Sequence, residues 1–211
     1  MEYELNDQDR ADIVKNFIKK YSTLFVLALI AVALAFGAYN IIQKHEATAN
    51  QNASIAYSAL LTSMQNGATT ATISAESQNI IKNNRGTVYA SLAKLNLAGI
   101  AVQQNRLADA ASILKETLAQ NSHNSLTPII SLRLARVYLA NNNPKMAISI
   151  LKKPPAGFVG TYALLTGEGN LQEGNLVLAR KNFSTAINAS KNDPIVTQMA
   201  MERLNSLGAS S

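Results

Sequence analysis

The feature that most constrains this chain is an uncharged apolar run at residues 23–42. After Thr23, its one strongly polar side chain is Asn40. At 1.5 Å rise per residue, a helix of this length reaches about 30 Å, which is the thickness of a bilayer's hydrocarbon core. Such a helix also satisfies its backbone hydrogen bonds internally. The run therefore predicts one transmembrane helix, which we place at residues 21–43 and which would contact lipid through residues 23–42.

A cleaved secretory signal is the main alternative, because residues 47–49 read Ala-Thr-Ala, a form that signal peptidase accepts. Signal cores usually have about 7–15 apolar residues and follow a short basic segment. Here the run is longer, and residues 1–20 contain five acidic residues beside four basic ones. Both differences favour a retained anchor over a cleaved signal.

The distribution of Lys and Arg around the run predicts its orientation. Four basic residues precede it, whereas Lys44 is the only one between the run and Lys82. Positive charge near a span is held on the cytoplasmic side. We therefore expect a cytoplasmic tail at residues 1–20 and one domain outside the cytoplasm at residues 44–211.

The composition limits the chemistry of that domain. The chain has no cysteine, which excludes disulfides and thiolate chemistry. The formal net charge is +6, but the basic residues form no dense block and no aromatic pattern accompanies them. Nucleic-acid binding is therefore not expected.

Residues 44–211 are predicted to be all helical, because clusters of Asn, Gly and Pro interrupt apolar segments and no alternating strand pattern appears. Three segments share one spacing. In each, a small residue is followed by a turn former at +7, a second small residue at +12 and a large apolar residue at +16. The sets are Ala98, Asn105, Ala110 and Leu114; Ala135, Asn142, Ala147 and Leu151; Gly167, Gly174, Ala179 and Phe183.

This spacing is typical of helix hairpins, because small residues let two helices cross closely and the large residue fills the groove beside the crossing. It resembles the tetratricopeptide repeat. The predicted fold class is therefore all-α: an N-terminal transmembrane helix followed by a tetratricopeptide-repeat-like α-solenoid. Flanking helices are expected to cap the stack, and Met199 and Met201 of the closing helix are expected to pack in the core. The apolar residues of the two caps are Ile55, Ala56, Leu60, Leu61 and Met64 before the stack, and Ile195, Met199, Met201 and Leu204 after it.

No catalytic, cofactor-binding or metal-binding constellation is predicted, because His45 and His123 are isolated and no nucleophile or nucleotide motif has its required context. The remaining candidate for function is the surface. Stacked hairpins form a concave face that can hold a segment of a partner protein. The first helix of each hairpin should line this face, through the candidate residues Leu95, Gln103, Leu132, Arg136, Leu139, Leu164, Glu168 and Gln172.

The order and spacing of motifs along the whole chain resemble the YfgM-type ancillary subunit of the bacterial SecYEG translocon. The resemblance rests on the tail segment 13–17, the apolar run, Ser54, Tyr57 and Tyr89, segments 92–98 and 132–137, Gly167, Leu171, Gly174 and the closing segment 199–205. It implies a single-pass inner-membrane protein with a periplasmic repeat domain. The implied partners are the SecYEG translocon, a PpiD-type periplasmic chaperone and nascent secretory proteins, with no catalytic residues and no cofactor.

Two other classes stay open. One is a secreted, soluble repeat adaptor released by cleavage near Ala49. The other is an envelope enzyme whose site the motif search does not recognise.

Overall fold

The computed structural model describes the backbone of residues 7–120 and 124–208. Within that part, side chains at residues 7–14, 16–18, 22–25, 38, 40–46 and 124 are not described. The described residues are helical and contain no strand, which confirms the predicted all-α class. The helices are α1 Asp7–Gln65, α2 Thr70–Asn83, α3 Val88–Gln103, α4 Leu107–Gln120, α5 Thr127–Ala140, α6 Pro144–Ile150, α7 Val159–Gln172, α8 Leu176–Ala189 and α9 Pro194–Gly208, with a short 3₁₀ turn at Asn124–Leu126.

The chain divides into two compact units, Met1–Ala49 and Asn50–Ser211. In the first unit, α1 is helical through the predicted span, and the described side chains of residues 26–37 are all exposed. Among the described residues, no helix combines the length and the apolar character needed to cross a membrane. Residues 22–25, 38 and 40–43 of the predicted span lie outside the described side chains.

In the second unit, each helix from α2 to α9 packs against the next one along the chain. Two further contacts join alternate helices, α5 with α7 and α7 with α9. Consecutive antiparallel pairing with contacts between alternate helices is the arrangement of a stacked hairpin solenoid. The predicted repeat architecture is therefore confirmed.

Local sequence signals explain several helix ends. Thr69 and Thr87 cap α2 and α3, because each hydroxyl accepts a hydrogen bond from the backbone N–H three residues later, at 3.2 Å. Pro144 begins α6 at a position where a missing N–H costs nothing.

All three predicted turn formers reverse the chain with a left-handed backbone. The φ angles are 57° at Asn105, 54° at Asn142 and 76° at Gly174. Glycine, and less readily asparagine, tolerates this conformation. The repeat spacing thus located the hairpin turns correctly.

The small residues of the spacing rule are buried at the helix crossings, and the large ones fill the space beside them. Leu114, Leu151 and Phe183 retain 3% exposure or less. They belong to three separate apolar clusters. Each cluster also includes residues of the next helix along the chain, which matches the expectation that a repeat buries its apolar face against its neighbours.

The capping helices differ from the sequence expectation in which apolar residues they bury. In α9, Val196, Ala200 and Leu207 join the core around Phe183. Ile195, Met199 and Met201 are exposed, so the core role predicted for the two methionines is wrong. Before the repeats, Leu60 is fully buried with Ile80 and Ala93, but Ile55, Leu61 and Met64 are exposed. The reason is that a terminal helix packs on one side only, so it buries a narrower stripe than its composition suggests.

Candidate partner-binding groove

The first helices of the three hairpins are α3, α5 and α7. Helix α5 packs directly against α7, whereas the surface between α3 and α5 opens into a groove of about 470 Å³. We call this the α3–α5 groove. Helix α4 contributes Leu107 and Leu114 to it, and the other lining residues are Leu95, Ala98, Gly99, Val102, Gln103, Arg133, Arg136, Val137 and Ala140.

The groove has an apolar floor and a basic edge. Arg133 and Arg136 come from α5 and are both exposed. Residues three apart on a helix are neighbours, with about 5–6 Å between Cβ atoms. The Arg133 Nη1 atom donates a long hydrogen bond of 3.4 Å to the Leu95 carbonyl, across the groove. No acidic residue lines the groove, so the two positive charges are not compensated there.

Three of the eight predicted contact residues, Leu95, Gln103 and Arg136, meet in this groove. Of these, Gln103 and Arg136 present exposed side chains, whereas Leu95 is 3% exposed and lies in the floor. Gln103 of α3 and Arg136 of α5 thus line the groove from opposite sides, and their contact with a partner stays a prediction.

The other predicted leucines lie inside the repeat stack. Leu132 and Leu139 pack against Tyr162 and Leu165 in the cluster that joins α5 to α7. Leu164 packs in the cluster around Phe183. All three are at most 8% exposed. At this burial they offer little surface to a partner, and their role as contact residues stays a prediction.

Glu168 and Gln172 lie on α7, away from the α3–α5 groove. Glu168 forms an ion pair of 3.4 Å with Arg203 of α9. The Gln172 Nε2 atom donates to the Leu139 carbonyl at 3.4 Å. Both side chains therefore already have partners within the fold.

Gly99 and Val102 are groove residues that the repeat pattern did not single out. Val102 is 42% exposed although it is apolar, and a Cβ atom built on Gly99 would meet no atom within 4 Å. One feature of the sequence could have indicated this site: Gly99 lies inside a strongly helical segment, where a glycine lowers helix stability.

A second, polar pocket between α2, α3 and α4 contrasts with the groove. Its Lys94 ammonium contacts Glu116 at 2.9 Å and Gln120 at 2.8 Å. The charge of Lys94 is thus paired within this pocket, which Arg85 also lines, whereas no acidic residue lines the α3–α5 groove.

The described residues contain no group of three or more His, Cys, Asp or Glu side chains placed to hold a metal ion. The side chains of His45 and His123 lie outside the described residues. One tyrosine is perturbed: burial raises the pKa of Tyr162 above its ordinary value of 10.0, and a hydrogen bond with the Ser131 side chain opposes the shift. Tyr162 lies in the core between hairpins and opens onto no pocket described above.

Comparison with known families agrees with this architecture. The family model of the tetratricopeptide repeat-like domain matches residues 15–209. The chain belongs to this family. The match includes α2 to α9 completely, so the tetratricopeptide repeat-like assignment covers every hairpin described above. No solved structure matches the chain.

Three relatives of the tetratricopeptide repeat-like chain align over nearly its whole length, and each is named an ancillary SecYEG translocon subunit. The relative from Escherichia coli strain K12 is 28% identical over 98% of this chain and 99% of its own length. Those from Haemophilus influenzae and Aggregatibacter actinomycetemcomitans are 27% and 29% identical, over 98% of this chain and 100% of their own lengths. The resemblance to ancillary translocon subunits, expected from the sequence, is therefore confirmed.

Proposed function

We propose that this protein is a membrane-anchored repeat scaffold that associates with the SecYEG translocon and binds other polypeptides at the surface of its helix hairpins. The observation that carries the proposal is the full-length similarity to three proteins with the same translocon-subunit name. These alignments include both the apolar run and the repeats. The similarity therefore extends over the whole chain and is not limited to one widespread repeat domain.

The exposed apolar side chains of α1 support the anchor. Between Val26 and Phe36, seven large apolar side chains are at least 50% exposed: Val26, Leu27, Leu29, Ile30, Val32, Leu34 and Phe36. Monomeric soluble proteins rarely leave a contiguous apolar surface of this kind in water. We propose that residues 21–43 lie in the inner membrane. The excess of Lys and Arg before the apolar run supports residues 1–20 in the cytoplasm and residues 44–211 in the periplasm.

The anchor also provides a mechanism by which the scaffold binds its partners. It confines the hairpins to the membrane plane beside the translocon, which raises their effective concentration for weak binding. The partners that we propose are a PpiD-type periplasmic chaperone and secretory proteins emerging from the translocon.

Photo-crosslinking in membranes that are exporting secretory proteins tests the partner proposal. A photoreactive residue replaces Gln103 at the edge of the groove, and the matched control replaces the exposed Asn188 of α8. We expect translocon or chaperone adducts at the groove position and fewer at the control. If neither position gives such adducts, and solubilised membranes yield no translocon on co-purification, the proposed association is wrong.

The absence of cysteine makes topology directly measurable. Single cysteines at Asn6 and Lys152 are treated with a membrane-impermeant maleimide in intact spheroplasts. The proposed orientation predicts labelling at position 152 alone, and labelling at position 6 only after lysis. An intact mass lacking residues 1–49 would instead identify a secreted adaptor.

A further inference from the structure

The α3–α5 groove combines an apolar floor with an uncompensated positive edge. The described residues contain three ion pairs, Lys94 with Glu116, Arg106 with Asp109 and Arg203 with Glu168. Neither Arg133 nor Arg136 takes part in one. Two neighbouring cations of equal charge repel each other, so an anion placed between them and the floor would lower the electrostatic energy of the groove.

The chemistry of arginine narrows the choice of anion. A guanidinium group presents its N–H donors in a planar fork that matches a carboxylate with two parallel hydrogen bonds. The 3.4 Å bond from Arg133 to the Leu95 carbonyl is long for a strong hydrogen bond. A carboxylate could replace this weak contact with a charge-assisted one.

Gly99 provides an independent argument that the groove is built for an occupant. Three other glycines within the repeat helices are explained by packing. A Cβ atom would lie 2.5 Å from Phe183 at Gly167, 2.8 Å from Ile148 at Gly169, and in collision with Ser190 at Gly160.

At Gly99 a Cβ atom would meet nothing within 4 Å. Glycine is the poorest helix former apart from proline, and no neighbour in the fold requires it here. What its missing side chain provides is a close approach to the backbone of α3 from within the groove.

Building on the proposed scaffold function, we infer that the α3–α5 groove binds an extended segment of another polypeptide in which leucine-like side chains alternate with side-chain carboxylates. The apolar side chains lie over Val102, Val137 and Gly99. The carboxylates pair with Arg133 and Arg136. Alternate side chains of an extended segment point to opposite faces, so one set faces the floor and the other faces outward, where the exposed side chains of Arg133 and Arg136 pair with it.

The test measures fluorescence anisotropy of a labelled, amidated nonapeptide with the detergent-solubilised full-length protein. The peptide alternates three leucines with one aspartate and one glutamate between Gly-Ser ends, and the amide removes the terminal carboxylate. We expect saturable binding that weakens with added salt. The amide analogue, with asparagine and glutamine in place of the acids, should bind about tenfold more weakly. Empty detergent micelles give the background.

Variants of the chain test the basic edge and the apolar floor of the groove separately. Arg136→Gln should weaken peptide binding about threefold, and Arg133→Gln with Arg136→Gln about tenfold. Gly99→Leu should fill the groove and reduce binding by at least about tenfold, without lowering the urea midpoint, because leucine favours the helix and has room. The matched control is Arg85→Gln, which removes the same charge from an exposed position outside the groove and should leave affinity unchanged.

Three outcomes overturn the inference: equal binding of the acidic and amide peptides, equal binding by the wild type and the Gly99→Leu variant, or displacement by inorganic phosphate beyond the effect of matched salt. The last would identify a phosphate site. If the translocon adducts persist while the peptide does not bind, this inference fails and the scaffold function stands. If the peptide binds but no translocon or chaperone adduct forms, the groove assignment holds and the scaffold function fails.

Discussion

A Cβ atom at Gly167 of α7 would lie 2.5 Å from Cε1 of Phe183 on α8. Phe183 is fully buried, and its ring fills the place that a side chain at position 167 would occupy. This crossing of α7 and α8 therefore depends on a pair, one residue without a side chain and one with a large ring. At the corresponding positions of the preceding hairpin, the small residue is Ala135 and the large one is Leu151. Both lie in one buried cluster, and their volumes differ less than those of Gly167 and Phe183.

Gly167→Ala and Gly99→Ala should shift stability in opposite directions, although both replace a glycine within a helix. At Gly167 the added methyl overpacks a full core, which costs about 1–3 kcal/mol and exceeds the gain in helix propensity. At Gly99 the methyl meets open space, so propensity alone should stabilise by about 0.5–1 kcal/mol. Urea unfolding of the 50–211 unit, followed by circular dichroism, measures both. Equal shifts would contradict the packing described for Gly167.

The left-handed turn residues should discriminate alanine from glycine. At Asn142, with φ of 54°, substitution by alanine should cost about 1 kcal/mol because its Cβ strains this conformation. Asn142→Gly should remain within about 0.5 kcal/mol of the wild type. The same unfolding assay applies, and Gly174→Ala, at φ of 76°, should repeat the alanine penalty. A harmless alanine at both turns would mean that the hairpins reverse differently.

Tyr162 should make the fold sensitive to alkaline pH. Burial raises its pKa in the folded protein above 10.0, while the unfolded side chain titrates near about 10. Above that value the folded state binds more protons than the unfolded state, so the free energy of unfolding falls as the pH rises, by up to about 1.4 kcal/mol per pH unit.

Comparing the wild type with Tyr162→Phe between pH 8 and 11 isolates this effect, since other titrating groups are common to both. The variant should lose less stability between those pH values, although it is less stable at pH 8 without the hydroxyl bonded to Ser131. Parallel pH profiles for the two proteins would rule out a linked proton at Tyr162.

Neighbouring residues of α9 should respond very differently to the same substitution. Ala200 is fully buried, whereas Met199 is 41% exposed. Ala200→Asp should therefore cost more than about 2 kcal/mol, because an unpaired carboxylate would lose its water, and Met199→Asp should cost less than about 1 kcal/mol. Thermal unfolding of the two variants gives the comparison. Similar costs would restore the core role first expected for Met199.

The turns and crossings could be predicted from the sequence because they depend on local requirements. Residues that tolerate a left-handed backbone, small residues and large apolar residues recur at fixed offsets. Asn105 meets the requirement of a turn and Phe183 that of a crossing, each through its own conformation or volume. The same pattern could not tell which leucines stay accessible. Leu132 and Leu139 lie on first helices, as a contact residue would, yet they are buried by α7. Their exposure depends on how far one hairpin is rotated against the next.

The sequence by itself determined the helical class, the positions of the hairpin turns, the small and large residues at each crossing, and an apolar run with the length of a membrane span. These are set by backbone conformation, side-chain volume and hydropathy over a few turns of chain. Only the tertiary structure decided that α3 and α5 leave a groove between them, that Arg133 reaches across it to the Leu95 carbonyl, and that α9 buries Val196 instead of Ile195. The reason is that small rotations between successive helices add up along the stack. The exposure of a surface residue depends on their total, which no single segment of the sequence specifies.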